Sequence, residues 1–194
     1  MRVRRVGADA LLLEVDDPAA WFAELWRRRE AGDFAASEIV PGAASVLLDG
    51  VSPDLALSAA EWAPPAGSAA AEGRLVEIPI RYGGLDASFV ASRWGSSVQD
   101  VLERTEFRVA FCGFAPGFAY LTGLPASLAV PRLDTPRPRV PAGSVAVAGE
   151  YAGIYPNASP GGWRIVGHTD VTLFDVDSDP PALLTPGTRV RFVC

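Results

Sequence analysis

The chain contains no lysine: all seventeen of its basic residues are arginine. That absence excludes a Schiff-base lysine, the lysine of a phosphate-binding P-loop and a lysine general base together. A single histidine, His168, and two distant cysteines, Cys112 and Cys194, leave no His/Cys set for a transition metal. Only carboxylate-bound Mg²⁺ or Ca²⁺ remains conceivable. Two cysteines make no disulfide framework; Cys112, in an apolar run, reads as a buried thiol, and Cys194, the last residue, is expected to fray. A Ser-His-Asp triad would have to use His168. Any chemistry is therefore expected to be shared with a partner.

Long apolar runs are missing too. LLLEV at 11–15 and VAVAG at 145–149 fall far short of the roughly 18 residues that cross a bilayer. The basic start MRVRR leads into a short apolar stretch that acids interrupt, so no signal peptide is expected and a cytoplasmic location is. A net charge of −6 argues against non-specific nucleic-acid binding, and RRR at 27–29 reads as the solvated face of a helix.

What is present is patterned. VRRV and ALLLEV read as strands, and Asp17 with Pro18 opens a helix that puts Trp21, Phe22, Leu25 and Trp26 on one face. SEIVPG and ASVLLDG read as a second strand pair, and Ser52-Pro53 starts a second helix through Trp62. This predicts an α+β N-terminal domain over residues 1–63. PPAGSAAAEG at 64–73 reads as a linker. Residues 74–194 are then a mainly-β domain, with a short helix ending near Gly95 and another from the N-cap Ser97 to about Arg104.

The densest stretch, 107–175, mixes Gly, Pro, aromatics and Arg. Glycine opens unusual backbone angles and proline fixes others, which suits loops held against aromatic surfaces and equally suits the tight turns of a β domain. Arg132, Arg137 and Arg139 are stiffened by neighbouring prolines into candidates for bidentate capture of an anion, unless they pair with Asp134 or water. Ser144 reads as a turn residue whose hydroxyl also suits an anion. Gly161 and Gly162 before Trp163 allow close approach of a ligand against an aromatic wall, or a hairpin with a core tryptophan. Phe114, Phe118 and Tyr120 are candidate pocket walls. His168 beside Gly167 reads as hydrogen-bonded structure or as the one candidate catalytic base.

Taken together, YGG at 82–84, GFAPGFAYLTGLP at 113–125, PRLDTPRPRVPAGSVAVAG at 131–149, GIYPNASPGGWRIVG at 153–167 and LFD at 173–175 resemble one family. It is the family of 5-oxoprolinase B subunits, also called allophanate hydrolase subunit 1 or the KipI family. The resemblance implies an α+β domain followed by a cyclophilin-like β-barrel, and a chain inactive alone. Its implied partners are a C-type (KipA-like) subunit, with which it forms two halves of a carboxyltransferase domain, and an A-type subunit. It implies ATP-dependent opening of 5-oxoproline, a small anionic substrate, by the complex, with no cofactor held by this chain alone. The alternatives within the resemblance are inhibition of a sensor histidine kinase, or a carboxyltransferase half of a urea carboxylase type of system. Where the family reads Gly-Arg-Thr this chain reads Gly167-His168-Thr169, and the segment after YGG is shortened.

Overall fold

The computed structural model describes residues 1–52, 54–63 and 73–194, which fall into two compact units, Met1–Glu72 and Gly73–Cys194. Pro53 of the expected second helix and residues 64–72 of the expected linker lie outside the described residues.

In the first unit, β1 (Arg2–Val6) and β2 (Ala10–Glu14) form a hairpin through Gly7, whose φ of +65° suits glycine. β4 (Ser45–Asp49) pairs β2 and β3 (Glu38–Pro41) pairs β4, giving an antiparallel sheet in the order β1-β2-β4-β3. The helix α1 (Pro18–Glu30) starts where expected: the Asp17 side chain accepts from Ala20 N at 3.0 Å, with Pro18 in the first turn. Trp21 and Leu25 are buried with Leu11, Leu13, Val46 and Leu48 of the sheet. Trp26 remains 37 % exposed, so the apolar stripe is narrower than the sequence pattern suggested. Glu24 is buried instead, and Arg27 and Arg28 hydrogen-bond its carboxylate. Two of the three arginines of RRR are thus clamps rather than a purely solvated face. The second helix is short, α2 (Leu55–Ala59).

In the second unit, eight strands form one sheet. They are β5 (Leu75–Pro79), β6 (Arg81–Tyr82), β7 (Phe107–Cys112), β8 (Ala119–Thr122), β10 (Ser144–Ala148), β11 (Tyr151–Ile154), β13 (Arg164–His168) and β14 (Arg189–Val193). The order is β5-β14-β7-β8-β11-β10-β13-β6, antiparallel except for β14 with β5. β5 and β6 stand at opposite edges although only Ile80 separates them in the chain. The sheet must therefore curl until its edges approach, giving a nearly closed barrel. Together with the first unit's sheet this makes the chain mostly β, with few helices. A separate ribbon of β9 (Arg137–Val140) and β12 (Ser159–Gly161) completes the strands.

β10, SVAVA, is buried at every position. Its valines, Val145 and Val147, join a core with Ile78, Phe107, Leu121 and Phe192, against which α3 (Ala87–Trp94) and α4 (Val98–Arg104) pack through Val90, Trp94, Val98 and Leu102. Its alanines, Ala146 and Ala148, face a second, aromatic cluster of Phe118, Tyr155 and Trp163. Period-two alternation thus puts a packed core on one face of the strand and the candidate site on the other. α3 ends at Gly95 in the left-handed conformation, and Ser97 caps α4 by accepting from Asp100 N at 3.0 Å.

Candidate functional site

The connection from β7 to β8 is the FCGFAPGF segment. It is closed by hydrogen bonds from Gly113 N to Phe118 O and from Phe118 N to Ala115 O. Gly117, with φ of +80°, lies so close to Phe174 that a Cβ there would sit 2.7 Å from the Phe174 Cβ. Phe114 is the one non-glycine residue with positive φ among the described residues, +71°, and is 63 % exposed. A bulky side chain held there costs energy that the surrounding turn must offset, a pattern that clusters at functional sites.

Behind it Phe118 is buried, with Tyr120, Phe114, Tyr155 and Trp163 edge-to-face around it at 5.1–5.4 Å between ring centroids. These rings, with Pro136, Gly161, Gly162 and Arg132, line a cavity of about 280 Å³. The Arg132 guanidinium stands 5.9 Å from the centre of the Trp163 ring. The sequence candidates Phe114, Phe118, Tyr120, Arg132, Gly161, Gly162 and Trp163 are therefore brought together. Tyr155, which lies within the GIYPNASPGGW motif, was not singled out by sequence reasoning. Its phenol is pushed up by burial.

The two glycines divide their work. A Cβ on Gly161 would overlap the Tyr155 hydroxyl, whereas one on Gly162 would find only ordinary contacts from 3.6 Å outward. Gly161 answers to packing against Tyr155, and Gly162 borders the open cavity.

The remaining arginine candidates lie elsewhere. Arg137 and Arg139 sit on β9 rather than on a loop, and neither lines this cavity. Both Asp86 oxygens accept from Arg137 Nη2, at 2.9 and 3.0 Å, and one also accepts from Ile165 N at 2.7 Å. Arg164 Nη1 lies 3.5 Å from the same carboxylate. The partner of Arg137 is thus buried Asp86, not Asp134. It ties β9 to β13 and to the start of α3. Arg139 is exposed, and its guanidinium has no partner among the described residues.

Ser144 and His168 border a different cavity of about 310 Å³, with Arg81, Gly83, Gly84 and Ile165. Asp170, which no sequence motif marked, accepts from Arg81 Nη2 at 2.9 Å, pairs with Arg81 Nη1, and lies 3.2 Å from His168 Nε2. Arg81 hydrogen-bonded to its carboxylate is the largest influence holding the Asp170 carboxyl down at about 2, with His168 adding to it. Among the described residues, no group of three or more His, Cys, Asp or Glu side chains is placed to hold a metal ion.

Residues 1–184 match the family model described as carboxyltransferase domain, subdomain C and D. The chain belongs to that family. It is 40% identical to the 5-oxoprolinase B subunit of Escherichia coli O157:H7, over 97% of this chain and 93% of that protein. Among solved structures, TTHA0988 aligns with a TM-score of 0.77 at 34% identity, covering 99% of this chain. This chain spans 40% of the length of TTHA0988. PH0987 from Pyrococcus horikoshii aligns at 33% identity with a TM-score of 0.58, over 99% of this chain and 96% of that one. The barrel-like fold is common to these structural neighbours.

Proposed function

We propose that this chain is the B subunit of a 5-oxoprolinase, a hydrolase component that acts only with an A-type and a C-type subunit. The observation that carries the reading is the 40% identity to the Escherichia coli protein over nearly the full length of both. In this reading residues 1–63 are an α+β domain, 64–73 the linker and 74–194 a cyclophilin-like barrel, in the cytoplasm. ATP is consumed by the complex, and this chain alone holds no cofactor.

The aromatic cavity supports a binding role for the chain. Its flat walls suit a small ring, and Arg132 at its border supplies a planar cation for an anionic group of the substrate or of a phosphorylated intermediate. Phe114, exposed and held at positive φ, offers an aromatic surface for the C-type partner to cover.

The test is reconstitution. The chain and its C-type partner should co-elute in size-exclusion chromatography, and glutamate release from 5-oxoproline and ATP should need this chain together with both other components. Separate elution at micromolar concentration, or full turnover by the other two components alone, would overturn the reading.

A further inference from the structure

In the register of the barrel sheet, Arg81 on β6 stands opposite His168 on β13, and His168 stands opposite Ser144 on β10. Directly opposite residues share a face of a sheet, so a guanidinium, an imidazole and a hydroxyl form one row across three strands. All three border the 310 Å³ cavity, which shares no lining residue with the aromatic one. Ser144 is 4 % exposed, and its hydroxyl has no hydrogen-bond partner among the described residues. The hydroxyl is thus unpaired on an otherwise buried residue at the cavity border, where a ligand can bond to it.

The imidazole is held by its neighbours. An aspartate is ionised at neutral pH, and the Arg81 guanidinium holds the Asp170 carboxyl further down, at about 2. A carboxylate has no proton to give, so His168 Nε2 carries the hydrogen of their contact. In the neutral ring this leaves the lone pair on Nδ1. The fixed charges of Arg81 and Asp170 cancel. The other titratable group bordering the cavity is Tyr82 on β6, whose phenol is pushed up by burial and by the Glu103 carboxylate and so stays neutral. From β10 the cavity receives only Ser144. With the ring neutral, the row therefore offers a donor, the Ser144 hydroxyl, and an acceptor, His168 Nδ1, with no net fixed charge.

We propose that this cavity is a second ligand site that receives a neutral amide group, and that Arg81 and Asp170 are positioning residues that keep His168 in the required tautomer. The Ser144 hydroxyl donates to the amide oxygen, and the amide N–H donates to His168 Nδ1. A primary amide or a lactam presents both groups on one edge, whereas a carboxylate brings no donor and sets its lone pairs against that of Nδ1. The site is independent of what fills the aromatic cavity.

His168 is the only histidine, so nitrogen NMR reads its ring unambiguously in the full chain. In the neutral form of the ring the wild type should show a protonated Nε2 and a bare Nδ1. Asp170→Asn should give a tautomer mixture, and Asp170→Glu should largely restore the wild-type pattern. Acetamide should shift the ring signals saturably, with affinity lowered about five- to tenfold in Ser144→Ala, the loss of one hydrogen bond. Acetate should do neither. A wild-type ring protonated at Nδ1, or a tautomer that ignores Asp170→Asn, would overturn the positioning role. Acetamide without effect, or acetate acting equally, would overturn the ligand class. Both readouts are taken on the chain alone, so their failure is distinct from a failure to reconstitute turnover.

Discussion

Arg137 and Arg139 are two residues apart on one short strand, yet the structure gives them opposite energetic weights. Arg137→Ala removes two hydrogen bonds, at 2.9 and 3.0 Å, from an Asp86 side chain only 8% exposed. Breaking a fully buried ion pair by removing one partner costs about 3–5 kcal/mol, because the charge left behind is uncompensated. Here Arg137 is itself 23% exposed, Arg164 stays 3.5 Å away, and Ile165 N still donates at 2.7 Å. These remaining partners reduce the expected loss to about 1.5–3 kcal/mol, the range for losing charge-assisted hydrogen bonds. For a chain of this size that corresponds to a fall in melting temperature of about 3–12 °C. Arg139→Ala, at an exposed position without a partner among the described residues, should stay within about 0.5 kcal/mol of wild type. Thermal unfolding followed by circular dichroism compares the two. A double-mutant cycle with Asp86→Asn should return most of the Arg137 effect as coupling. Equal stability of the two arginine variants, or additive effects of Arg137→Ala and Asp86→Asn, would refute the assignment of Arg137 to this knot.

Two further outcomes follow from the geometry. Gly161→Ala should destabilise the chain by about 1–3 kcal/mol, since its Cβ would press on the buried Tyr155 ring, while Gly162→Ala should be tolerated; denaturant unfolding decides, and equal effects would contradict the division of roles. Asp170 carries a depressed folded-state pKa of about 2 against an ordinary value of about 3.9, so its ion-pair stabilisation is complete above about pH 4 and is lost as the pH falls toward 2. A carboxyl titration by NMR should show that midpoint in wild type and a rise toward the ordinary value in Arg81→Gln; an unmoved midpoint would remove Arg81 as the cause.

Much of the frame was legible because local rules decided it. The Asp17-Pro18 start of α1, the Gly95 end of α3 and the Ser97 cap of α4 each depend on a few adjacent residues, and each formed as the pattern required. The aromatic cavity was legible for a related reason: Gly, Pro and large rings at short spacing leave few ways to pack, so Phe114, Phe118, Tyr120 and Trp163 met. What sequence spacing could not supply was the partner of each charge. Asp86 lies 51 residues from Arg137, and Arg81 lies 89 residues from Asp170. No periodicity connects positions that far apart, so Arg137 read as an anion clamp although its anion was already in the chain.

The two cavities differ in how their arginines are paired. A guanidinium already paired to a carboxylate within the protein contributes orientation rather than charge, because the pair is locally neutral. Arg137 and Arg81 are of this kind: one fixes the ribbon of β9 and β12, and the other fixes the carboxylate that faces His168. Arg132, exposed and 5.9 Å from the centre of the Trp163 ring with no carboxylate paired to it among the described residues, is not neutralised in this way. In a chain with no lysine, the placement of carboxylates therefore decides which arginines bind and which only build. By that criterion the aromatic cavity is the one suited to an anion, and the Ser144–His168 cavity the one suited to a neutral group.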